Sequence, residues 1–399
     1  PMKHLVDKNF ESSIEHLVNV IQNQDIMSNE ASLALPILGS EKIREIETKL
    51  APLHQKINHL IVIGIGWSSL GAKAIMKFLG RKRKWYAELH FFETIDGDAT
   101  YGRLHSIISS VASIEEIAIC EISKSGGTLE TKLLSEYIGS TLEKILKKKP
   151  LRIVITGKWS QLEQSALLSN DIVFHLEEMV GGRFSVFSHV GLVPLYLGGY
   201  NIELLLQGAS SAIEEFVLSP YTHAVSREAL WIIDWLSHGR NWYLNFFFDI
   251  SSVHIGRWFV QLFAESFGKE NNPTYLFPVS ATGTMDLHSI AQSVYAQSHP
   301  WLIEWIRCIP QEDNDVFREA RDALYHGALQ AAIDQWIPCR KTFIRRSEYD
   351  IAQWMQQKMM VIMLLSAICE VDAFDQPLVE MYKSRARDYL EWKNTISDE

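Results

Sequence analysis

Two turns in the first third of the chain have the residues to hold an anion. A β-rich run ends in Gly64-Ile65-Gly66-Trp67-Ser68-Ser69-Leu70-Gly71 and a helical pattern follows. Such a junction offers backbone N–H groups and the positive end of a helix dipole. A dinucleotide-binding turn would need glycine where Ser69 stands, and Gly71 comes two positions too late, so a nucleotide-dependent reductase is the weakest reading. Further on, Glu121-Ile122-Ser123-Lys124-Ser125-Gly126-Gly127-Thr128 again opens a helix with hydroxyls and glycines, and Lys124 adds charge. Turns leaving the carboxyl ends of strands in one sheet can converge on one phosphate. For either turn alone, an ordinary connection capped by Ser or Thr is equally open.

Downstream lie residues able to move protons. In Gly181-Gly182-Arg183-Phe184-Ser185 the paired glycines let backbone approach a ligand and Arg183 could stabilise developing negative charge, although an isolated arginine after a loop is more often a surface ion-pair residue. An amphipathic helix carrying Ile255, Trp258, Phe259, Leu262 and Phe263 runs to Glu265, with Gly268 ending it. The negative dipole end and apolar neighbours would raise the Glu265 carboxyl toward a useful general base; its position alone also fits a solvated glutamate. His288 follows Asp286, a candidate N-cap, and is expected in the first turn of a helix, where the dipole favours a neutral ring. Lys383 shares a helical face with Val379, Ala386 and Leu390 after Pro377, which suits the first helical position. It either snorkels or meets a buried ligand.

The elements that position these residues alternate between short β-rich runs and helical periodicity, the pattern of an α/β protein with doubly wound parallel sheets. Strands are expected at 59–65, 89–92, 117–122, 152–156 and 172–176, then near 243–249 and 275–279. Ala72, Ile75, Met76 and Leu79 keep the spacing of an amphipathic helix, as do Leu134, Ile138 and Leu142. The organisation predicted is an N-terminal helical segment (1–40), two similar α/β domains (41–188 and 189–345) and a C-terminal helical segment (346–399) that wraps back on the core. In that segment Ile351, Trp354, Met355, Lys358 and Ile362 share one face.

With 399 residues, 47% of them hydrophobic, the chain can bury a sizeable core. Its formal net charge of -10 argues against nucleic acid as a partner. The basic runs at 81–84 and 147–149 read as solvated connections. Cys120, Cys308, Cys339 and Cys369 form no CxxC pair, so reduced thiols are expected rather than a metal knuckle or a disulfide framework. No apolar signal segment follows Pro1-Met2-Lys3-His4, and the most apolar stretch, Met359 to Cys369, is too short to cross a bilayer. A cytoplasmic protein without membrane partners is expected.

Taken together and in order, these segments resemble the glucose-6-phosphate isomerase family. Gly64 to Gly71 is similar to that family's GIGGSxLG, Ile122 to Thr131 to its ISKTxxTxET, and Gly181 to Leu192 to its GGRYSxxSxxGL. Glu265 to Lys269, Gly283 to Ser289 and Phe374 to Lys383 are similar to ESNGK, GTNGQHS and FDQPGVExGK, and Ile95-Asp96-Gly97 to its VDG. The resemblance implies two sugar-isomerase (SIS) domains and an aldose–ketose isomerase of glycolysis and gluconeogenesis, acting on a sugar phosphate without cofactor or metal. It further implies that Gly66, Trp67, Ser68, Ser123, Lys124, Ser125, Thr128, Gly182 and Gln376 contact substrate. Arg183 would steady the enediolate, Glu265 would shuttle the proton between C2 and C1, and His288 with Lys383 would open the ring. A homodimer in which His288 enters the partner's site is implied as well. Trp67, Phe267, Met285-Asp286-Leu287 and Tyr382 depart from the family pattern. Those departures leave two other readings, an isomerase of a different sugar phosphate and a noncatalytic phosphosugar-binding SIS protein.

Overall fold

Five short segments of the first half are apolar and bury much of both faces, most fully in the central strands, which suits a parallel sheet covered by helices on either side. In the computed structural model, which describes residues 2–54, 56–82, 86–270, 274–296, 299–310 and 316–397, they are β1 (His59–Ile63), β2 (Glu88–Phe92), β3 (Ile117–Ser123), β4 (Leu151–Thr156) and β5 (Ile172–His175). All pair in parallel, in the order β2-β1-β3-β4-β5. The connections diverge on either side of β1, so a crevice opens beyond the carboxyl ends of β1 and β3. The two anion-type turns leave those two ends.

Side-chain alternation divides the sheet into two faces. Leu60, Val62, Cys120, Ile122, Ile153 and Ile155 enter the largest apolar core. Ile61, Ile63, Ile117 and Ile119 face the other way and pack with Leu104 and Ile107 of helix Gly97–Ile108 and with Leu134, Ile138 and Leu142 of helix Leu129–Leu146.

A second parallel sheet repeats the pattern with β6 (Trp242–Phe247), β7 (Phe277–Thr282), β8 (Trp301–Ile309) and β9 (Cys339–Arg345), ordered β7-β6-β8-β9. Tyr243, Phe247, Leu302 and Ile306 join the same large core as the first sheet. On the opposite face Leu244, Phe246, Ile303 and Trp305 pack with Tyr325, Leu329 and Ala332 of helix Arg318–Asp334. β8 and β9 lie outside the strands expected from the sequence.

Helix Glu348–Ile368 threads the shared core, and Ile351, Trp354, Met355, Lys358 and Ile362 are all buried. The final helix, Val379–Ser397, differs from expectation: Met381, Tyr382, Ala386, Tyr389 and Leu390 are exposed, so its apolar residues do not lie back on this chain's core. Pro377 sits in the preceding turn, where its carbonyl accepts from Glu380 N, two residues short of the helix start. The four cysteines are free. Burial raises the thiols of Cys339 and Cys369 to about 11. Among the described residues, no helix is long and apolar enough to cross a membrane.

Lys358 resolves an apparent conflict on that buried helix face. Its ammonium donates to Glu228 Oε1 and Glu304 Oε2, each at 2.5 Å, and Tyr243 Oη lies 2.7 and 2.6 Å from the same two oxygens, donating its one proton to one of them. Arg340 Nη1 reaches Glu228 Oε2 at 3.0 Å. Burial alone would raise the Glu304 carboxyl, but Lys358 and Arg340 outweigh it and hold the group well below the usual range. A depressed carboxyl contributes stability above its unfolded value, and that stability is lost as pH falls toward the folded one. Lys358→Met should leave two buried carboxylates with one cation fewer and cost about 3–5 kcal/mol. Urea unfolding checks this, and a loss below about 1 kcal/mol would mean that the network carries no such weight.

Candidate active site

The first turn enters helix Trp67–Leu79 through Gly66, whose φ of +58° lies in the left-handed region that favours glycine. No side chain caps this helix, nor does Thr128 cap helix Leu129–Leu146. The N-cap residue of neither helix supplies a side-chain acceptor, and at the first of them Ser68 N and Ser69 N donate to the carbonyls of Ile65 and Gly66. Ser123 Oγ accepts from Gly126 N at 3.1 Å and donates to Thr128 Oγ1 at 3.4 Å, while Ser125 Oγ accepts from Gly127 N at 3.1 Å. A Cβ at Gly64 would lie 2.7 Å from Ser68 Cβ and 3.2 Å from Ile122 O, so the two turns are in contact. Ser68 and Ser123 are buried at this junction.

Lys124 departs from the role expected for it. Its ammonium donates to the carbonyls of Glu178 at 2.7 Å and Val180 at 3.0 Å, tying β3 to the segment after β5 rather than reaching the hydroxyls of its own turn.

Arg183 joins three of the sequence segments. The residue is 4% exposed, and burial lowers the pKa of its guanidinium. Nε donates to Ser266 Oγ at 2.8 Å, Nη1 to Gln376 Oε1, and Nη2 to the carbonyls of Asp375 at 2.9 Å and Ala373. Glu265 Oε2 lies 3.5 Å from Arg183 Nη1, is buried, and makes no hydrogen bond. The helix Val253–Phe267 ends at Gly268 as expected, which places Glu265 in its last turn. Lys269 Nζ donates to Glu265 O at 3.1 Å and to Asp375 Oδ1 at 2.6 Å, closing the far side. A cavity of about 560 Å³ is lined by Glu265, Lys269, Asp375 and Gln376 among others. A second, of about 470 Å³, has Gln261, Glu265, Met285 and Asp286 in its wall.

Gln261, which the sequence reading missed, links the two halves of the site. Its Nε2 donates to Glu265 Oε1 at 2.9 Å and lies 3.1 Å from where a Cβ would stand at Gly66. The carboxylate is thereby held toward the first anion turn. An i, i+4 relation to Glu265 on one helix face was the available signal. Ser266 was missed as well, as a lone buried hydroxyl in an apolar stretch.

Trp67 lies flat against the arginine turn: three ring atoms of its indole are 2.5 Å from a Cβ built at Gly182, so only glycine fits there. Phe267, another departure from the family pattern, is core. Met285–His288 forms a short 3-10 turn, and the next helix begins only at Ala291. Asp286 is not its N-cap; its carboxylate accepts from Thr282 N at 2.6 Å. His288 is exposed and has no helix dipole above it, because the 285–290 segment closes on Asp286 instead of starting a helix. Lys383 pairs with Glu380 at 2.7 Å on the final helix, and the face it shares with Ala386 and Leu390 is exposed rather than buried. Neither His288 nor Lys383 lines either cavity described above.

The phosphoglucose isomerase family model matches residues 40–284, more than half of the chain. The chain belongs to that family. Both anion turns, Arg183, Gln261 and Glu265 fall within the match; His288, Gln376 and Lys383 follow it. Among phosphoglucose isomerase relatives, the glucose-6-phosphate isomerase of Campylobacter jejuni is 31% identical over 60% of this chain and 57% of its own length. Those of Clostridium tetani and Fusobacterium nucleatum are each 27% identical, over 88% and 93% of this chain and 84% and 89% of theirs. The chain thus spans less than two thirds of the first of these relatives and most of the other two. A crystal structure of a hypothetical protein from Thermus thermophilus superposes with a TM-score of 0.80 at 23% identity, over 97% of this chain and 96% of that one. A glucose-6-phosphate isomerase from Chlamydia trachomatis does so at 0.75 and 19%, over 95% and 78%. At such identities these two report the fold of the family.

Proposed function

We propose that this family member interconverts glucose 6-phosphate and fructose 6-phosphate by proton transfer through an enediolate. The observation that carries the reading is Glu265 Oε2, a buried carboxylate oxygen without a hydrogen-bond partner, beside a buried guanidinium at the wall of two cavities. In this reading the uncapped starts at Gly66-Trp67-Ser68 and Ser123 to Thr128, with Ser125, grip the phosphate, and Lys124 supplies only its field. Gly182 and Gln376 border the sugar. Glu265 takes the proton from C2 of the open-chain aldose and returns it to C1 of the enediolate while the O2 hydroxyl proton passes to O1, so the product is an isomer and no electrons leave the substrate. Arg183 stabilises the oxyanion, and Gln261 fixes the carboxylate. No cofactor or metal enters the reaction. The nominated domains, 41–188 and 189–345, supply the phosphate grip and the base respectively.

His288 and Lys383 are assigned to ring opening, with His288 serving the partner of a homodimer. Its exposure in a turn that lines neither of the two cavities described above supports that assignment. A phosphorylated sugar is retained inside cells, which supports a cytoplasmic location for the enzyme. Turnover of fructose 6-phosphate in a coupled assay tests the activity, with other ketose phosphates run beside it. The indole packed on Gly182 favours a second reading, a reshaped sugar pocket, which would show as turnover of another sugar phosphate only. For the shared site, inactive Glu265→Gln and His288→Ala proteins should regain roughly a quarter of wild-type turnover when subunits are mixed, since each hybrid of a symmetric dimer holds one intact site. No gain on mixing would refute a shared site.

A further inference from the structure

At the opposite edge of the first sheet, three potential ligands converge that the isomerase site does not use. We infer that His59, Glu88 and His90 form a binding site for one divalent transition-metal ion, with Zn²⁺ the best match to the ligand set. His59 and Glu88 open β1 and β2 and stand opposite each other in register, and His90 lies two residues along β2 on the same face. One donor atom from each of the three lies within 4.8 Å of the other two.

His59 Nδ1 and His90 Nε2 are 2.9 Å apart. Two imidazole nitrogens on a tetrahedral Zn²⁺ stand about 3.3 Å apart, given bonds of about 2.0–2.1 Å, so the rings need open only a few tenths of an ångström while the Glu88 carboxylate, within 4.8 Å, draws in. Two imidazoles and one carboxylate leave a fourth position open and suit Zn²⁺, Co²⁺ or Ni²⁺ better than Mg²⁺ or Ca²⁺. His59 Nε2 lies 3.1 Å from Ser110 Oγ, which can accept its proton and leave Nδ1 as the free lone pair. Ligation through His90 Nε2 requires only that the ring carry its proton on Nδ1.

The surroundings favour a cation there. Glu116 adds a second carboxylate near His59. The competing cations are Arg81, 3.1 Å from Glu88 in an exposed pair, and Arg103, whose guanidinium lies over the Phe92 ring. An exposed pair is weak enough for a bound ion to displace. The site would clamp β1 to β2 and to the end of helix Gly97–Ile108. It stands a strand's length from the turn after Ile63, so its loading is independent of sugar turnover.

The test is equilibrium dialysis and visible absorption with Co²⁺ on chelator-treated full-length protein, beside thermal unfolding with Zn²⁺. The expected result is one tightly held equivalent, the strong ligand-field bands of a four- or five-coordinate ion without thiolate charge transfer, and a raised unfolding temperature. Glu88→Gln, a conservative change at a half-exposed position, and His90→Asn should each weaken binding by more than the ~10- to 100-fold that loss of an outer partner costs. Wild-type affinity in a folded Glu88→Gln protein, or binding only at the level of scattered surface histidines, would overturn the site. If His90→Asn fails to fold, Glu88→Gln decides alone.

Discussion

Glu265→Gln should lower kcat by about 10² to 10⁴ and leave the affinity for a sugar phosphate near that of the wild type. The substitution preserves shape and one hydrogen-bonding oxygen but removes the lone pair that now lies unpartnered beside Arg183. The phosphate grip lies in another part of the chain, at the helix starts after β1 and β3, and is joined to the altered group through Gln261, whose hydrogen bond goes to the side-chain oxygen that glutamine retains. Steady-state kinetics together with a thermal-shift titration separates the two effects. Wild-type kcat would remove the base from the reading; loss of binding alone would recast Glu265 as a ligand for the sugar.

Arg183→Met should be more costly, because the guanidinium has two tasks. It offers charge to an enediolate, where one lost donor costs about 10² to 10³ in kcat. It also holds the 373–376 segment to the end of helix Val253–Phe267 through Ser266, Gln376 and two carbonyls. Each acceptor left buried and unpaired costs about 1–3 kcal/mol, so the urea midpoint should fall together with turnover. Arg183→Lys separates the tasks, since an ammonium keeps the charge but cannot span four acceptors. Turnover restored by lysine at an unimproved midpoint is the expected pattern. A methionine protein with wild-type stability and kcat would contradict both tasks.

The first sheet was legible because its strands are nearly continuous apolar runs ending in glycine turns. β8 and β9 were not. β8 carries Glu304 and Arg307 and β9 reads Cys-Arg-Lys-Thr-Phe-Ile-Arg, charges that argue against a strand until Lys358 and Arg340 are seen to neutralise Glu304 from elsewhere in the chain. Positions set by local rules, such as Glu265 one turn before Gly268, could be read directly. Side-chain direction could not: Lys124 turns to distant carbonyls, and Asp286 bonds back to Thr282 where an N-cap was expected. The exposure of the final helix was hidden for a related reason, since an apolar periodicity states that a face exists and not which surface covers it.

The central claim is that Glu265 carries a proton between C2 and C1 of a sugar held by the first two turns. Glucose 6-phosphate deuterated at C2, incubated with the wild-type protein in ordinary water, measures it by NMR. Deuterium should leave C2 and appear partly at C1 of the ketose and partly in solvent, while Glu265→Gln leaves the C2 label in place over the same time. Label lost from C2 at equal rates with both proteins would contradict the account.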